Sequence, residues 1–427
     1  QTGRLSNFGL SLPLLAQIHH RTDSLQGATS DMKLILIDPE PPTPHGGGIR
    51  SYIQHAILFC LRNDWKPILY THSPEVYSNC ETFRIGRAPV AKRWSHFFIY
   101  RTNYLPNLIL EQSNWIYQQL RNSVDSDTIV EFADYLGYGL YSLRNPALRE
   151  QTILRVHTPS FLITGKGGSL LKWWHQRRIG KFEKECLSKA KQIVAPSSQF
   201  VQEKLPSITE HVHVPNFVPF PHKTKPLHFT GQNGLKPNFL YLGRLEMRKG
   251  VLVLLKAFFG LQRSHPEARL WLIGDQQDKP YLYQIQSLLQ QYPRRMRGKV
   301  RFFPAMPRTR IERIIGYFNF LVIPSLWENS PYVFFEALRA KRVCITSDCG
   351  EMGKVQRELN GFISPPGNAD ALMTQMKKGI ELGEAALQLI RKQENFLAER
   401  TRKTENQFSF YYKFILSQAK NPVGPSH

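Results

Sequence analysis

Two carboxylates, Glu328 and Glu336, stand eight residues apart in the stretch FLVIPSLWENSPYVFFEALRA, Phe320 to Ala340. The apolar run Phe320–Pro324 reads as a short buried strand, Ser325–Pro331 as a loop, and the chain from Tyr332 onward as a helix. One acid therefore lies in the loop and the other about a turn into the helix. A helix that starts just after a strand end offers unsatisfied backbone N–H groups and the positive end of its dipole. That suits a phosphate or a developing anion. Two acids placed there would repel a phosphate, so they match hydroxyls better, as on a sugar or a ribose. A solvated loop glutamate beside an ordinary helix glutamate fits the same spacing, and the rest of the chain must separate these readings.

Leu242–Gly250 (LGRLEMRKG) is a second candidate. A strand end is followed by Gly243, then by Arg244, Arg248 and Lys249 just before a helix. Arg244 and Lys249, five apart across a tight loop, could both reach a diphosphate; a solvated basic turn is the alternative. Gly46-Gly47-Gly48 lies between a strand and a helix and suits the close approach of an anion, although a structural turn would use the same residues. It is neither a dinucleotide fingerprint nor a Walker motif. His157 ends a strand in RVHTPS, where it is either a site residue or a histidine that is simply packed or on the surface. Trp173 and Trp174 stand among Lys172, Arg177, Arg178 and Lys181. That mixture suits a helix lying on anionic lipid, and equally a helix that buries its tryptophans behind a basic face.

The elements that must position these residues alternate. Met32–Ile37 reads as a strand, followed by a loop rich in Pro and Gly. An amphipathic helix follows, with Ile49, Ile53, Ala56, Ile57 and Cys60 at helical spacing, and then the strand Pro67–Tyr70. This is a strand–helix–strand unit, which predicts a parallel sheet. Thr128–Phe132, Thr152–His157 and Gln192–Pro196 continue the series. Residues 220–236 are poor in apolar side chains and rich in Pro and Gly, and read as a linker. After it the alternation resumes, with strands at Phe239–Tyr241, Arg269–Gly274, Val300–Phe303, Phe320–Pro324 and Val343–Thr346. The expectation is two doubly wound α/β domains, residues 31–219 with 405–420 and residues 237–404, facing each other across a cleft. In such sheets ligands sit at the carboxyl ends of the strands. Residues 1–30 are expected to be a poorly ordered extension. The aromatic segment Gln407–Ala419 is expected to be a helix docked on a domain surface.

Composition sets limits. The chain has 427 residues, 41% hydrophobic and 12% aromatic, enough for a sizeable core in more than one domain. Its formal charge of +23 favours anionic partners: nucleic acid, lipid headgroups or phosphorylated substrates. Five scattered cysteines, with no histidine at ligand spacing beside Cys344 and Cys349, suggest neither a metal site nor a disulfide framework, and point to a reduced compartment. No apolar run approaches the roughly 20 residues of a membrane-spanning helix.

GRLEMRKG, followed about 80 residues later by PSLWENSPYVFFEALRAKRV, resembles the retaining nucleotide-sugar glycosyltransferases of the GT-B fold. This family includes bacterial mannosyltransferases and relatives of sucrose and glycogen synthases. HGGGIRSYI, VEFADYLGYG and RVHTPS match its amino-terminal half in order, and the likeness spans about Met32 to Lys378. The resemblance implies a GT-B architecture, two facing Rossmann-like domains with a carboxyl-terminal helix crossing back to the first. It implies that Glu328 binds donor-sugar hydroxyls and Glu336 the ribose hydroxyls. Arg244 and Lys249 would hold the diphosphate and stabilise the leaving group without a metal. Backbone N–H groups of Gly47, Gly48 and of Asn329, Ser330, Tyr332 and Val333 would line phosphate and sugar, and His157 would contact the sugar near its anomeric carbon. Retention in the family is explained by front-face attack, the leaving phosphate taking the acceptor's proton.

Asn329-Ser330-Pro331 departs from the family's usual glycine-rich loop. In SDCGEMGKV, Lys354 stands where the family commonly has an acid, and the stretch receives no role. The expected protein is a hexosyltransferase that moves a sugar from a nucleotide-diphosphate donor to a glycan or lipid-linked acceptor. It would need no cofactor, would serve polysaccharide or glycolipid biosynthesis, and would lie in the cytoplasm with a peripheral membrane association. Its partners would be the donor, the acceptor and an anionic membrane surface, with nucleic acid disfavoured. A related phosphorylase would need a pyridoxal-phosphate lysine signature, which is not found. The alternative from another class is a non-catalytic basic protein that binds membrane or nucleic acid on a GT-B scaffold.

Overall fold

The computed structural model describes residues 32–40, 47–72, 77, 79–86, 104–163, 170–218, 236–275, 278–383 and 385–420. The expected extension at 1–30, Gly46 and nearly all of the linker lie outside them. The chain divides into two compact units, residues 1–217 with 403–427 and residues 218–402.

The first unit is built on seven strands: β1 (Lys33–Asp38), β2 (Lys66–Thr71), β3 (Glu81–Arg84), β4 (Thr128–Ala133), β5 (Thr152–Arg155), β6 (Gln192–Ala195) and β7 (Val212–His213). They form one sheet in the order β3-β2-β1-β4-β5-β6-β7, with every pairing parallel. The central strands are apolar on both faces, as LILI and TIVEF require when helices cover both sides. Strand β3 is missing from the sequence reading because ETFR, a mostly exposed edge strand, has no apolar run to mark it. Strand β5 stops two residues short of the expected His157. Beyond Val156 the amides of His157 and Thr158 turn instead to Asp134 Oδ1, at 3.0 and 3.3 Å.

The closing helix, Ala385–Lys420, is far longer than the aromatic segment expected at 407–419. Its residues from Lys403 onward belong to the first unit, where Phe408, Tyr412 and Ile415 are fully buried. Tyr412 stacks on Phe408 and reaches the carboxylate of Glu131, a charge buried in β4. Arg155, also without exposure, balances that charge. It lies 3.2 Å from Glu131 Oε1, donates to Tyr412 Oη at 3.1 Å and to the Val214 carbonyl at 3.2 Å, and covers the Tyr52 ring. A buried charge costs several kcal/mol unless it is paired and fully hydrogen-bonded. This cluster therefore ties the last helix to the sheet.

The second unit has six strands: β8 (Asn238–Leu242), β9 (Arg269–Ile273), β10 (Val300–Phe303), β11 (Phe320–Ile323), β12 (Val343–Ser347) and β13 (Phe362–Ser364). Their order is β10-β9-β8-β11-β12-β13, again all parallel. Phe239, Leu240, Phe258, Phe334 and Ile345 are among the fully buried residues of its core. Strand order reverses between β8 and β11, which pair directly through Phe320 with Phe239 and Leu321 with Leu240. Chains leaving a parallel sheet at such a reversal go to opposite faces and open a crevice at the carboxyl ends. The two motifs singled out in the sequence follow these two strands.

Candidate active site

After β8 the chain makes a tight, heavily bonded turn. The Gly243 amide donates to the Ile273 carbonyl at 3.0 Å, the Leu245 amide to Asp275 at 2.9 Å, and the buried Tyr241 hydroxyl to the Arg244 carbonyl at 2.7 Å. Met247–Lys249 forms one 3₁₀ turn, ended by Gly250 at φ +68°. A Cβ on Gly250 would lie 2.0 Å from the Pro324 carbonyl oxygen, so glycine is required both for conformation and for close approach to the end of β11. The Leu326 amide then donates to the Arg248 carbonyl at 2.8 Å, joining the two loops backbone to backbone.

Against this frame Glu328 is held by cations. Arg248 Nη1 lies 3.0 Å from its Oε2, the Lys249 ammonium bonds its Oε1, and the Ser325 hydroxyl donates to it at 3.2 Å. Burial alone would push this carboxyl up, but Lys249 and Arg248 outweigh that and hold it down at about 2. Arg248 also lies 2.7 Å from Glu246 Oε1 and covers the Trp327 ring at 4.8 Å. The site thus gathers two cations and two carboxylates, Glu328 and Glu246, on two backbone-linked loops.

The structure places the other expected residues differently. Arg244 has a half-exposed side chain, 3.6 Å from Glu246. Glu336, on the helix Tyr332–Arg339, pairs with Arg308 at 3.1 Å. Its burial raises its pKa, while Arg308 pulls it down and Glu312 pushes it up. Asn329 and Tyr332 are buried, and Ser330 and Val333 are partly so. Arg248, present in the motif but assigned nothing from sequence, joins Lys249 in bridging the two loops and pairs with a carboxylate on each, Glu246 and Glu328. Arg308 carries no sequence signal, because nothing in RTRIERII, which holds three arginines, marks which of them will face a distant carboxylate.

In the first unit, the helix Gly48–Arg62 begins at the glycine loop. The Gly47 amide, expected at a phosphate, is engaged by the chain's own acid. Glu40 Oε2 accepts from Gly47 at 2.9 Å and from the Arg50 amide at 3.2 Å. A Cβ on Gly47 would fall 1.9 Å from Glu40 Oε1, so this glycine accommodates that carboxylate; around Gly48 the space is open. Burial, then the neighbouring Asp38, raises the Glu40 pKa. Asp38, at the end of β1, receives Arg50 at 3.2 Å and the Thr71 hydroxyl at 3.1 Å. His157 follows β5 with its ring 5.2 Å from Tyr52, edge-on. Burial and the adjacent Arg155 lower its pKa to about 3, so the imidazole is neutral. The helix Leu170–Lys189 leaves Trp173 and Trp174 about half-exposed, which sets aside the reading in which it buries them.

Comparison with known proteins agrees with this architecture. The solved structure of a sucrose-phosphate synthase from Thermosynechococcus elongatus superposes with a TM-score of 0.66 at 17% identity, covering 90% of this chain and 99% of that one. The Anabaena protein HepE, solved in complex with UDP, gives 0.57 at 14% identity over 88% and 98% of the two chains. The fold is GT-B. Residues 227–396 match the family described as glycosyl transferases group 1, so the second unit carries a glycosyltransferase domain of that group. Over 115 residues the chain is 30% identical to a glycogen synthase of Mycobacterium tuberculosis, covering 27% of each protein. The curated relatives it matches are covered over only about a third of their own length or less.

Proposed function

We propose that this protein is a retaining hexosyltransferase that moves a sugar from a nucleotide-diphosphate donor to a glycan or lipid-linked acceptor. One observation carries the reading. At the strand-order reversal of the group 1 domain, Lys249 and Arg248 converge with Glu328 on loops fixed to one another. A diphosphate needs concentrated positive charge to bind and to leave, and preorganised cations in a partly dry site supply it without reorganising. In this reading the cationic turn takes the diphosphate, Glu328 turns its acceptor oxygens to sugar hydroxyls, and Glu336 serves the ribose. With Glu328 fixed as an anion between two cations, the acid–base work falls to the leaving phosphate, consistent with front-face attack and retention. Charge neutralisation by Lys and Arg also makes the reaction metal-independent.

The exposed face of the helix Leu170–Lys189 favours an acceptor presented at an anionic surface. Leu170, Leu171, Trp173 and Trp174 are exposed there, with Arg177 over the Trp173 ring at 5.3 Å. Among the described residues no helix is long and apolar enough to cross a membrane, so the proposed association is peripheral.

The test is a panel of nucleotide sugars assayed for nucleoside diphosphate release, with and without EDTA. Release with one donor class, unaffected by chelation and lowered about 10²-fold or more in Lys249→Ala and strongly in Glu336→Ala, is the expected result. No release with any donor, or release that ignores both substitutions, overturns it. Proton NMR of the first-formed product decides retention.

A further inference from the structure

The loop that carries Glu328 is fastened on a second side by the stretch SDCGEMGKV, which follows β12. The helix Gly350–Leu359 starts directly against it. Gly350, at φ +53°, leaves no room for a side chain: a Cβ would lie 2.2 Å from the Glu328 carbonyl oxygen and 2.5 Å from that of Asn329. The Cys349 thiol contacts the Ser325 carbonyl at 3.6 Å. The Glu351 amide donates to the Asn329 carbonyl at 2.8 Å. The Glu351 carboxylate accepts from the Ser330 hydroxyl with one oxygen and, at 2.7 Å, from Arg400 Nη2 with the other.

Glu351 and Arg400 are both nearly buried. A buried carboxylate is costly without a partner, and a hydrogen bond to a charged group is stronger and shorter than a neutral one. Arg400 also lies over the ring of Phe335 at 4.3 Å, on the helix that the loop leads into. One arginine from the long closing helix thus braces both the loop, through Glu351, and the helix after it.

We infer that Glu351, set by Arg400, is a positioning residue for the donor loop Ser325–Pro331. It holds the Asn329 carbonyl and the Ser330 hydroxyl while Lys249 and Arg248 hold Glu328 from the opposite side. The inference rests on the proposed donor site, and it adds a role for a stretch of the chain that the sequence leaves without one. Its chemical consequence is confined to the donor side. Loosening the strut lets the loop sample other positions, so nucleotide-sugar binding weakens while acceptor binding does not.

The experiment uses the full chain. Hydrogen–deuterium exchange is followed on peptides covering 325–333, with peptides from β8, β11 and β12 as internal controls. Isothermal titration with a nucleoside diphosphate is run in parallel. Glu351→Ala and Arg400→Ala are expected to speed exchange in 325–333 by about tenfold or more, the scale of one lost charged hydrogen bond, and to leave the strand peptides slow. Glu351→Gln, which keeps an acceptor for Ser330, restores part of the protection. Ser330→Ala, a small change that should not threaten folding, moves exchange in the same direction. The nucleotide Kd, and the donor KM where turnover is measured, rise about tenfold with the acceptor KM unchanged. Exchange in 325–333 within twofold of wild type in both Glu351→Ala and Ser330→Ala overturns the inference. So does a rise spread equally over the strand peptides, the mark of a purely structural role. A wild-type protein that binds no nucleotide and releases none sinks the functional reading instead, and the exchange result still decides the strut.

Discussion

Lys249 and Glu328 are bonded side chain to side chain although they are 79 residues apart. Each follows one of the two strands, β8 and β11, between which the strand order of the second unit reverses. Two charged side chains from distant parts of the chain are thereby held in place by each other.

Because Glu328 is shared, the two cations should behave differently when removed. If Lys249 meets the diphosphate as proposed, Lys249→Ala should lower kcat by about 10² to 10³-fold, the usual cost of one transition-state electrostatic partner. Arg248→Ala leaves Glu328 paired with Lys249 and removes the guanidinium that lies over the Trp327 ring, so its main effect should be a higher donor KM. Steady-state kinetics on the two variants with the active donor check the split. Equal losses in kcat would mean that Arg248 also faces the leaving group.

Acid should destabilise the protein through two identified groups. Glu328 is held at about 2, below its ordinary 4.5. Its stabilisation is complete above pH 4.5 and is lost as pH falls toward 2. On the linkage relation it amounts to about 3 kcal/mol. His157, lowered from 6.5 to about 3, acts in the same direction: the unfolded state binds its proton first, so stability rises with pH between about 3 and 6.5. Urea titrations from pH 3 to 8 should show this slope. Glu328→Gln should flatten the part below pH 4.5, and His157→Asn the part above it.

Gly250 is a sharp point of backbone necessity. Gly250→Ala adds the left-handed penalty of about 1 kcal/mol to a collision with the Pro324 carbonyl, and should destabilise the second unit by more than about 2 kcal/mol. Chemical denaturation monitored by tryptophan fluorescence reads this. A loss under 0.5 kcal/mol would show that the two loops can separate freely.

The exposed tryptophans give a binding prediction. The protein should co-sediment with vesicles containing phosphatidylserine but not with pure phosphatidylcholine, and the binding should weaken between 0.05 and 0.5 M salt, about 0.05 M being low and about 0.5 M being well screened. Trp173→Ala with Trp174→Ala should reduce it several-fold. Sedimentation insensitive to both lipid charge and the tryptophans would assign that face to another partner.

Much of this was written into the chain locally. Hydrophobic runs of strand length, the amphipathic helix at Gly48–Arg62 and the glycines after strand ends define the alternating α/β plan, because periodicity and turn chemistry are properties of neighbouring residues. GRLEMRKG and the two spaced glutamates likewise mark where a charged ligand could sit. Edge strand β3 and the short β13 escaped notice, since neither buries enough to leave a pattern. That the Leu170–Lys189 helix leaves Trp173 and Trp174 about half-exposed is likewise a matter of packing that the local pattern does not carry.

The linear chain carries the list of groups: two acids, a basic turn, a glycine loop and a histidine after a strand. How they pair is set by the packing of the fold. Glu328 and Glu336, which look like one set at eight residues' spacing, have separate partners, Lys249 with Arg248 for the first and Arg308 for the second. Glu40 lies at the Gly47 amide, and Glu351 acquires a position through Arg400. Each pairing joins residues on different elements, and a charge enters a low-dielectric interior only where the fold delivers its counter-charge. Local sequence specifies the elements; the counter-charge comes from how the sheet orders them.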